Sequence, residues 1–243
     1  LGVDEFEIFE DGIKQDIESL ELIQVSGRLD PALPPPSSIR NEYDEIREAA
    51  RSDSRIFAFF LDDYHVREGN AMRLTGPLIE FIETRLRPTD LIAIMYPLTP
   101  LIDVRLTRNH AQIVSALEGF RGRKYDYIPV NTYEMTYAHY PTETVERIRN
   151  DVSLSALKAL AMRLGGLREG RKSIIVLSEG YTDYVPPQLR DVSADGGQRS
   201  FQRYDPFAGQ NPYEQTQQFF SDAGMRMNLL YTAEIANRNN TSL

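Results

Sequence analysis

Few residues of this chain combine a reactive type with a setting in which they could do chemistry. The most prominent are an acidic pair and a histidine, Asp62, Asp63 and His65, directly behind the apolar run Ile56-Phe57-Ala58-Phe59-Phe60-Leu61. Glu179 stands in much the same relation to Ile174-Ile175-Val176-Leu177. Continuous apolar runs of this kind mark strands buried on both faces of a parallel sheet. Loops at the carboxyl ends of such strands are where open α/β sheets bind ligands. Carboxylates there are hard oxygen donors suited to a divalent cation, and an imidazole shifts the preference towards a transition metal. The plainer alternative is that these acids cap the next helix or bond loop amides.

Other catalytic chemistries have no signature. The chain has no cysteine, which excludes disulfides, thiol catalysis and Cys-ligated zinc. It contains neither a Gly-x-Ser-x-Gly elbow nor a glycine-rich phosphate loop. Gly165-Gly166 reads as a helix C-terminus and Gly196-Gly197 as loop punctuation. His110, in a helix's first turn, fits packing or surface better than ligation, and His139 lies in a Tyr-rich stretch. The formal net charge of -9 speaks against nucleic acid, whose phosphates require clustered Lys and Arg. No apolar run approaches the ~20 residues of a membrane span, and no signal-peptide pattern heads the chain. Leu1 to Glu10 already reads as folded strand, so the chain is expected to begin within a longer precursor.

Tyrosine placement adds a recognition signal. Of the 13 tyrosines, Tyr125, Tyr127, Tyr133, Tyr137 and Tyr140 fall in one segment, and Tyr181, Tyr184, Tyr204 and Tyr213 in another. Tyr gives large contact area at low entropic cost. It serves equally to hold long loops down on a domain.

Patterning along the chain indicates the scaffold that holds these residues. Glu5 to Ile8 alternates with period two, Asp11-Gly12 is a two-residue turn, and Ile13 to Val25 resumes an apolar strand. Ser26 to Asn41, with Pro31, Pro34, Pro35 and Pro36, has the texture of a linker. Beyond it strands and helices alternate: a helix near 42–52, a strand at 56–61, and a helix marked by Leu74, Leu78, Ile82 and Leu86. A strand at 91–95 is followed by an antiparallel edge strand at 101–106, then a helix from a Thr107 cap to Gly119. A long helix near 142–166, a strand at 173–177, a polar loop at 181–211 and a helix near 212–237 complete the pattern. This predicts an α/β fold: a mainly parallel central sheet, right-handed crossovers and flanking helices.

The order of these pieces, together with short motifs, resembles the von Willebrand factor A-related proteins of acidobacterial type. The motifs are Asp4-Glu5-Phe6-Glu7-Ile8-Phe9-Glu10-Asp11-Gly12 with Gln15 and Ile17, Phe60-Leu61-Asp62-Asp63-Tyr64-His65, the segment from Gly170 to Gly180, and Ala236-Asn237-Arg238-Asn239-Asn240. The resemblance implies a Rossmann-like A-type domain over 42–243, a hairpin over 1–25 at the edge of a small β-domain, and a linker over 26–41. It further implies that a fifth strand and a last helix lie beyond Leu243.

In many A domains a divalent cation sits on the sheet's carboxyl end, held by Asp-x-Ser-x-Ser, a Thr from a second loop and an Asp after the fourth strand. Here Asp62 matches the first Asp, Tyr64 and Val66 stand at the two Ser positions, and Glu179 stands at the last Asp. Asp151 and Ser153 are the candidates for the Thr, while Asp63 and His65 offer replacement donors. The implied site is a degraded cation site of Asp62, Asp63, His65 and Glu179 for Mg²⁺ or Mn²⁺, with Tyr64, Tyr181 and Tyr184 as partner contacts. The implied function is protein binding of the adhesion type in the bacterial envelope, periplasmic or secreted, with no catalytic residues. Two alternatives stay open. One is a structural subunit whose hairpin pairs its edge with a neighbour. The other is a metal-dependent hydrolase in which Asp62, Asp63, His65 and Glu179 activate water.

Overall fold

A tight hairpin opens the described part of the chain: β1 (Ile8–Glu10) and β2 (Ile13–Gln15) pair antiparallel. The residues between them, Asp11 (φ 51°) and Gly12 (φ 81°), are both left-handed, as a two-residue turn matched to strand twist requires. The computed structural model describes residues 5–17, 33–168, 170–182, 185 and 212–243. The expected strand over 18–25, the first part of the linker, and most of the polar loop therefore lie outside the described residues.

Residues 33–41 form neither helix nor strand, yet they are tied to the helix after them. The Pro34 carbonyl accepts from Arg51 at 2.7 Å and the Ser37 hydroxyl donates to Glu48 at 2.6 Å. The Asn41 side chain then accepts from the Asp44 amide at 2.9 Å and caps α1 (Glu42–Ala49).

The apolar runs become β3 (Ile56–Leu61), β4 (Leu91–Met95) and β5 (Lys172–Leu177). They are separated by α2 (Glu68–Arg85), α3 (His110–Glu118), the short α4 (Thr132–Met135) and α5 (Thr142–Leu167). After α6 (Pro212–Arg238), a two-residue strand β6 (Thr241–Ser242) joins β5. The four-stranded sheet is parallel throughout, in the order β4-β3-β5-β6. Alternation within the strands divides their side chains between two layers. Ile56, Ala58, Phe60 and Ile174 pack with Leu157, Leu160 and Leu164 of α5. Phe59, Leu61 and Leu177 pack with Ile82 of α2 and Leu117 of α3 on the other face. Each such side chain, fully buried, contributes about 1.5–3 kcal/mol.

Two expected elements differ. No strand forms over 101–106: Leu101–Asp103 is a single 3₁₀ turn, and only Thr107 pairs antiparallel with Ile92. The reason is burial. Val104 and Leu106 turn into the core at 2% and 3% exposure, and the Leu106 amide donates to the Glu45 carboxylate at 2.8 Å instead of to a strand. The next helix begins at His110, capped by Asn109, whose side chain accepts from the Gln112 amide. Gly165-Gly166 lies in the last turn of α5, at the helix C-terminus as expected. A Cβ at Gly165 would strike the Asn239 side chain, so the glycine permits close approach of the chain after α6.

The chain runs from β3 to β4 on one side and returns to β5 on the other. The sheet therefore has its switch point between the carboxyl ends of β3 and β5, where open α/β sheets form a crevice. Among the described residues, no helix is long and apolar enough to cross a membrane.

Candidate functional site at the sheet switch point

Asp62 is the hub of this crevice. Its amide donates to the Leu177 carbonyl at 3.0 Å, carrying the β3–β5 pairing one residue further, and the side chain is fully buried. A 3₁₀ turn over Asp63–His65, closed by the His65 amide on the Asp62 carbonyl at 3.1 Å, brings the imidazole back over the carboxylate. His65 Nδ1 lies 2.8 Å from each Asp62 oxygen. The Ser153 hydroxyl, from the middle of α5, donates to Oδ1 at 2.9 Å. The Ser178 hydroxyl, from the residue after β5, donates to Oδ2 at 3.0 Å. A buried carboxylate costs several kcal/mol unless its lone pairs are met. Here three elements supply the donors.

Tyr181 covers the imidazole, with ring centroids 4.7 Å apart and planes at 60°. Burial, reinforced by the Asp62 charge, holds its phenol well above the ordinary range. Among the described residues, His65 Nε2 is buried with no hydrogen-bond partner.

The other two expected donors point elsewhere. Asp63 faces Arg123 at 3.6 Å; burial pushes its carboxyl up to about 6 despite that guanidinium. Glu179 accepts from the Arg67 amide and the Asn70 side chain, both at 2.7 Å, at the start of α2. Burial opposes its charge, but the Arg67 amide, Asn70 and Lys124 outweigh it and hold the carboxyl below its usual range. Glu179 is thus a cap supplied from another loop, and its charge suits the positive end of the helix dipole. Of the four expected ligands, Asp62 and His65 meet; Asp63 and Glu179 do not join them. Of the two candidates for the Thr, Ser153 reaches Asp62 and Asp151 stays exposed.

Tyr64 requires a correction as a partner contact. It is fully buried, because its hydroxyl donates to Glu134 at 3.0 Å and its ring lies under the Arg149 guanidinium at 4.8 Å. Tyr184 lies outside the described residues.

Comparisons with protein-family models, with curated proteins and with solved structures found no match. The crevice is therefore characterised by its own contacts.

A second buried network, unforeseen in the sequence, folds the Tyr-rich segment over the loop after β3. Glu134 takes two bonds from Arg123, at 2.8 and 2.7 Å, and one from the Val130 amide at 2.9 Å. Burial works against its carboxylate, yet Arg123, Val130 and Tyr64 bring it down to about 2. Arg149, only 1% exposed, is stacked between Tyr64 and Tyr127 and donates to the Asp126 carbonyl at 2.6 Å. The Arg123 amide donates to the Asp63 carbonyl at 2.7 Å and the Lys124 amide to Val66 at 3.0 Å. Between Arg121 and Arg123 only glycine fits, since a Cβ at Gly122 would strike the Val66 backbone. The one sequence signal was the run of tyrosines, and Tyr137, 5% exposed, is among those that hold the loop down.

Around these buried groups the same end of the sheet presents apolar surface. An open cavity of about 370 Å³ is lined by Met95, Pro97, Leu98, Leu101, Tyr133 and Val152, among others. The turn that holds Leu101 and the segment that holds Tyr133 also carry Ile102, Ile128 and Met135, which are 70%, 71% and 61% exposed.

Proposed function

We propose that this chain is a binding module of the von Willebrand factor A type, which recognises a protein through the carboxyl end of its sheet. The A-type reading is supported by the strand order β4-β3-β5-β6, by Asp62 at the end of central β3, and by the antiparallel Ile92–Thr107 bridge beyond β4. The observation that carries the binding reading is the apolar surface around Leu98, Ile102, Ile128 and Met135. Exposed apolar side chains on segments that line a groove are surface of the kind found at interaction sites. A placement in the bacterial envelope rests on the resemblance alone. The buried Asp62 and His65, 0% and 1% exposed, give a hydrolytic water no approach, so catalysis is the weaker reading.

One observation favours a structural role as the second reading. In the hairpin Ile8, Phe9 and Ile13 are 53%, 57% and 67% exposed, and an isolated hairpin of this size needs a neighbour.

The test is quantitative binding to proteins captured by the chain, comparing it with the double variant Ile102→Asp, Ile128→Asp. Loss of at least tenfold in affinity, about 1.4 kcal/mol, at unchanged melting temperature is expected. Equal binding by both chains overturns the proposal. Loss confined to Phe9→Asp, Ile13→Asp moves the function to the hairpin.

A further inference from the structure

We infer that the His65 imidazole occupies the position a divalent cation would take on Asp62, so that this is a cation site closed by its own chain. The geometry carries the inference. Nδ1 is equidistant, at 2.8 Å, from both carboxylate oxygens, which is the place of an ion bound by both. The Ser153 oxygen lies 3.4 Å from the same nitrogen, and Ser178 braces the second carboxylate oxygen. One carboxylate and two hydroxyls from three separate elements form a hard-oxygen set of the kind that suits Mg²⁺, Mn²⁺ or Ca²⁺. Each hydroxyl donates its single hydrogen to Asp62; Ser178 also accepts from the Gly180 amide at 3.2 Å, and each oxygen keeps a lone pair for a further partner.

An ion and the imidazole cannot both be accommodated. Magnesium–oxygen and calcium–oxygen distances of about 2.0–2.6 Å would put the ion on top of Nδ1. Asp62 only accepts, so Nδ1 must carry a hydrogen, and this N–H performs the ion's task of meeting both oxygens at once. Tyr181 packs against the ring, and the imidazole is 1% exposed. The residues present therefore do not fit a resident metal while His65 stays in place. The closed cation site does not depend on the apolar surface or on any protein that binds it.

The experiment is a thermal-shift titration of the whole chain with Mg²⁺, Mn²⁺ or Ca²⁺, each ion alone, on wild type and His65→Ala, since binding to the native state raises the melting temperature with concentration. Wild type should show no saturable shift. His65→Ala should melt lower and gain a saturable rise with Mn²⁺ or Ca²⁺. Free imidazole should also raise it and compete with the ion, and adding Asp62→Asn should abolish both effects. A wild-type shift lost in His65→Ala would make His65 a ligand and overturn the inference. So would a folded His65→Ala that responds to neither ion nor imidazole. If His65→Ala is recovered only unfolded, calorimetric titration of wild type and His65→Gln, which retains a donor for Asp62, decides. Saturable binding to either overturns the inference, and indifference of both supports it.

Discussion

Two acids are buried at the same end of the sheet, and their surroundings differ in kind. Asp62 is met by an imidazole N–H and two hydroxyls, whereas Glu134 is met by a two-pronged guanidinium, an amide and a phenol. The Glu134 network is a two-pronged ion pair to the terminal nitrogens of Arg123, whose Nε is buried without a partner among the described residues, and it clamps the Tyr-rich segment over the loop after β3. The Asp62 network has no guanidinium or ammonium among its direct partners. It binds three elements that meet at the switch point, with one hydrogen-bond donor from each hydroxyl-bearing element. One region is a guanidinium–carboxylate clamp and the other a hub of imidazole and hydroxyls, and perturbation should distinguish them.

The largest expected effect is that of Glu134→Ala. Arg123 would be left buried without its carboxylate, and breaking a buried pair by removing one partner costs about 3–5 kcal/mol. Asp62→Asn strands no guanidinium and keeps one carbonyl oxygen for a hydroxyl. Losing a hydrogen bond there costs about 1–3 kcal/mol. Urea denaturation checks the order. Equal costs would erase the distinction between clamp and hub. The clamp also carries an acid limb. Glu134 titrates near 2 in the folded chain and in the ordinary range when unfolded. Its stabilisation is fully present above pH ~4.5 and is lost as pH falls towards ~2, on the order of 3 kcal/mol in all.

Asp63 sits between the two regions and should show the opposite slope. With burial raising its carboxyl to about 6, the folded state binds the proton more tightly than the unfolded state does. Stability should therefore decline as pH rises from ~4 to ~6 and stay flat above that range. Asp63→Asn should remove this limb and leave the Glu134 limb untouched. At pH 7 the substitution should stabilise the chain by about 3 kcal/mol, a net figure in which the Arg123 attraction is already included. A variant whose pH profile still declines between those values would show that another group carries the slope.

How much of this was legible depended on sequence distance. Strands β3 and β5 were legible because an uninterrupted apolar run has few alternatives, and Asp62 and His65 because they immediately follow one. Ser153 was one of two candidates, since its bond to Asp62 spans 91 residues and α5 alone does not say which turn faces the crevice. Glu134 was missed altogether. Its partner Tyr64 lies 70 residues away, and a run of tyrosines says nothing about which charges lie between them. Tyr64 itself was misplaced by a local detail: the 3₁₀ turn after β3 points it inward, where a looser loop would have left it at the rim. The unformed strand at 101–106 shows the same limit, because Glu45, a residue of another helix, took the amide that a ladder would have used.

The smallest expected effect separates a cap from a ligand. Glu179 binds the Arg67 amide and Asn70 with its side chain 19% exposed, so water can replace part of what Glu179→Ala removes. The cost should be about 1 kcal/mol, typical of a lost helix cap, and salt should reduce it because part of it is the helix dipole. The loss should be the same with and without Mg²⁺ or Mn²⁺, since a cap acts on α2 whether or not an ion is present. A Glu179→Ala penalty that appears only in the presence of an ion would join Glu179 to Asp62 as a ligand pair. The Asp62 hub would then be a resting form of a metal site, with His65 as the group that must move aside.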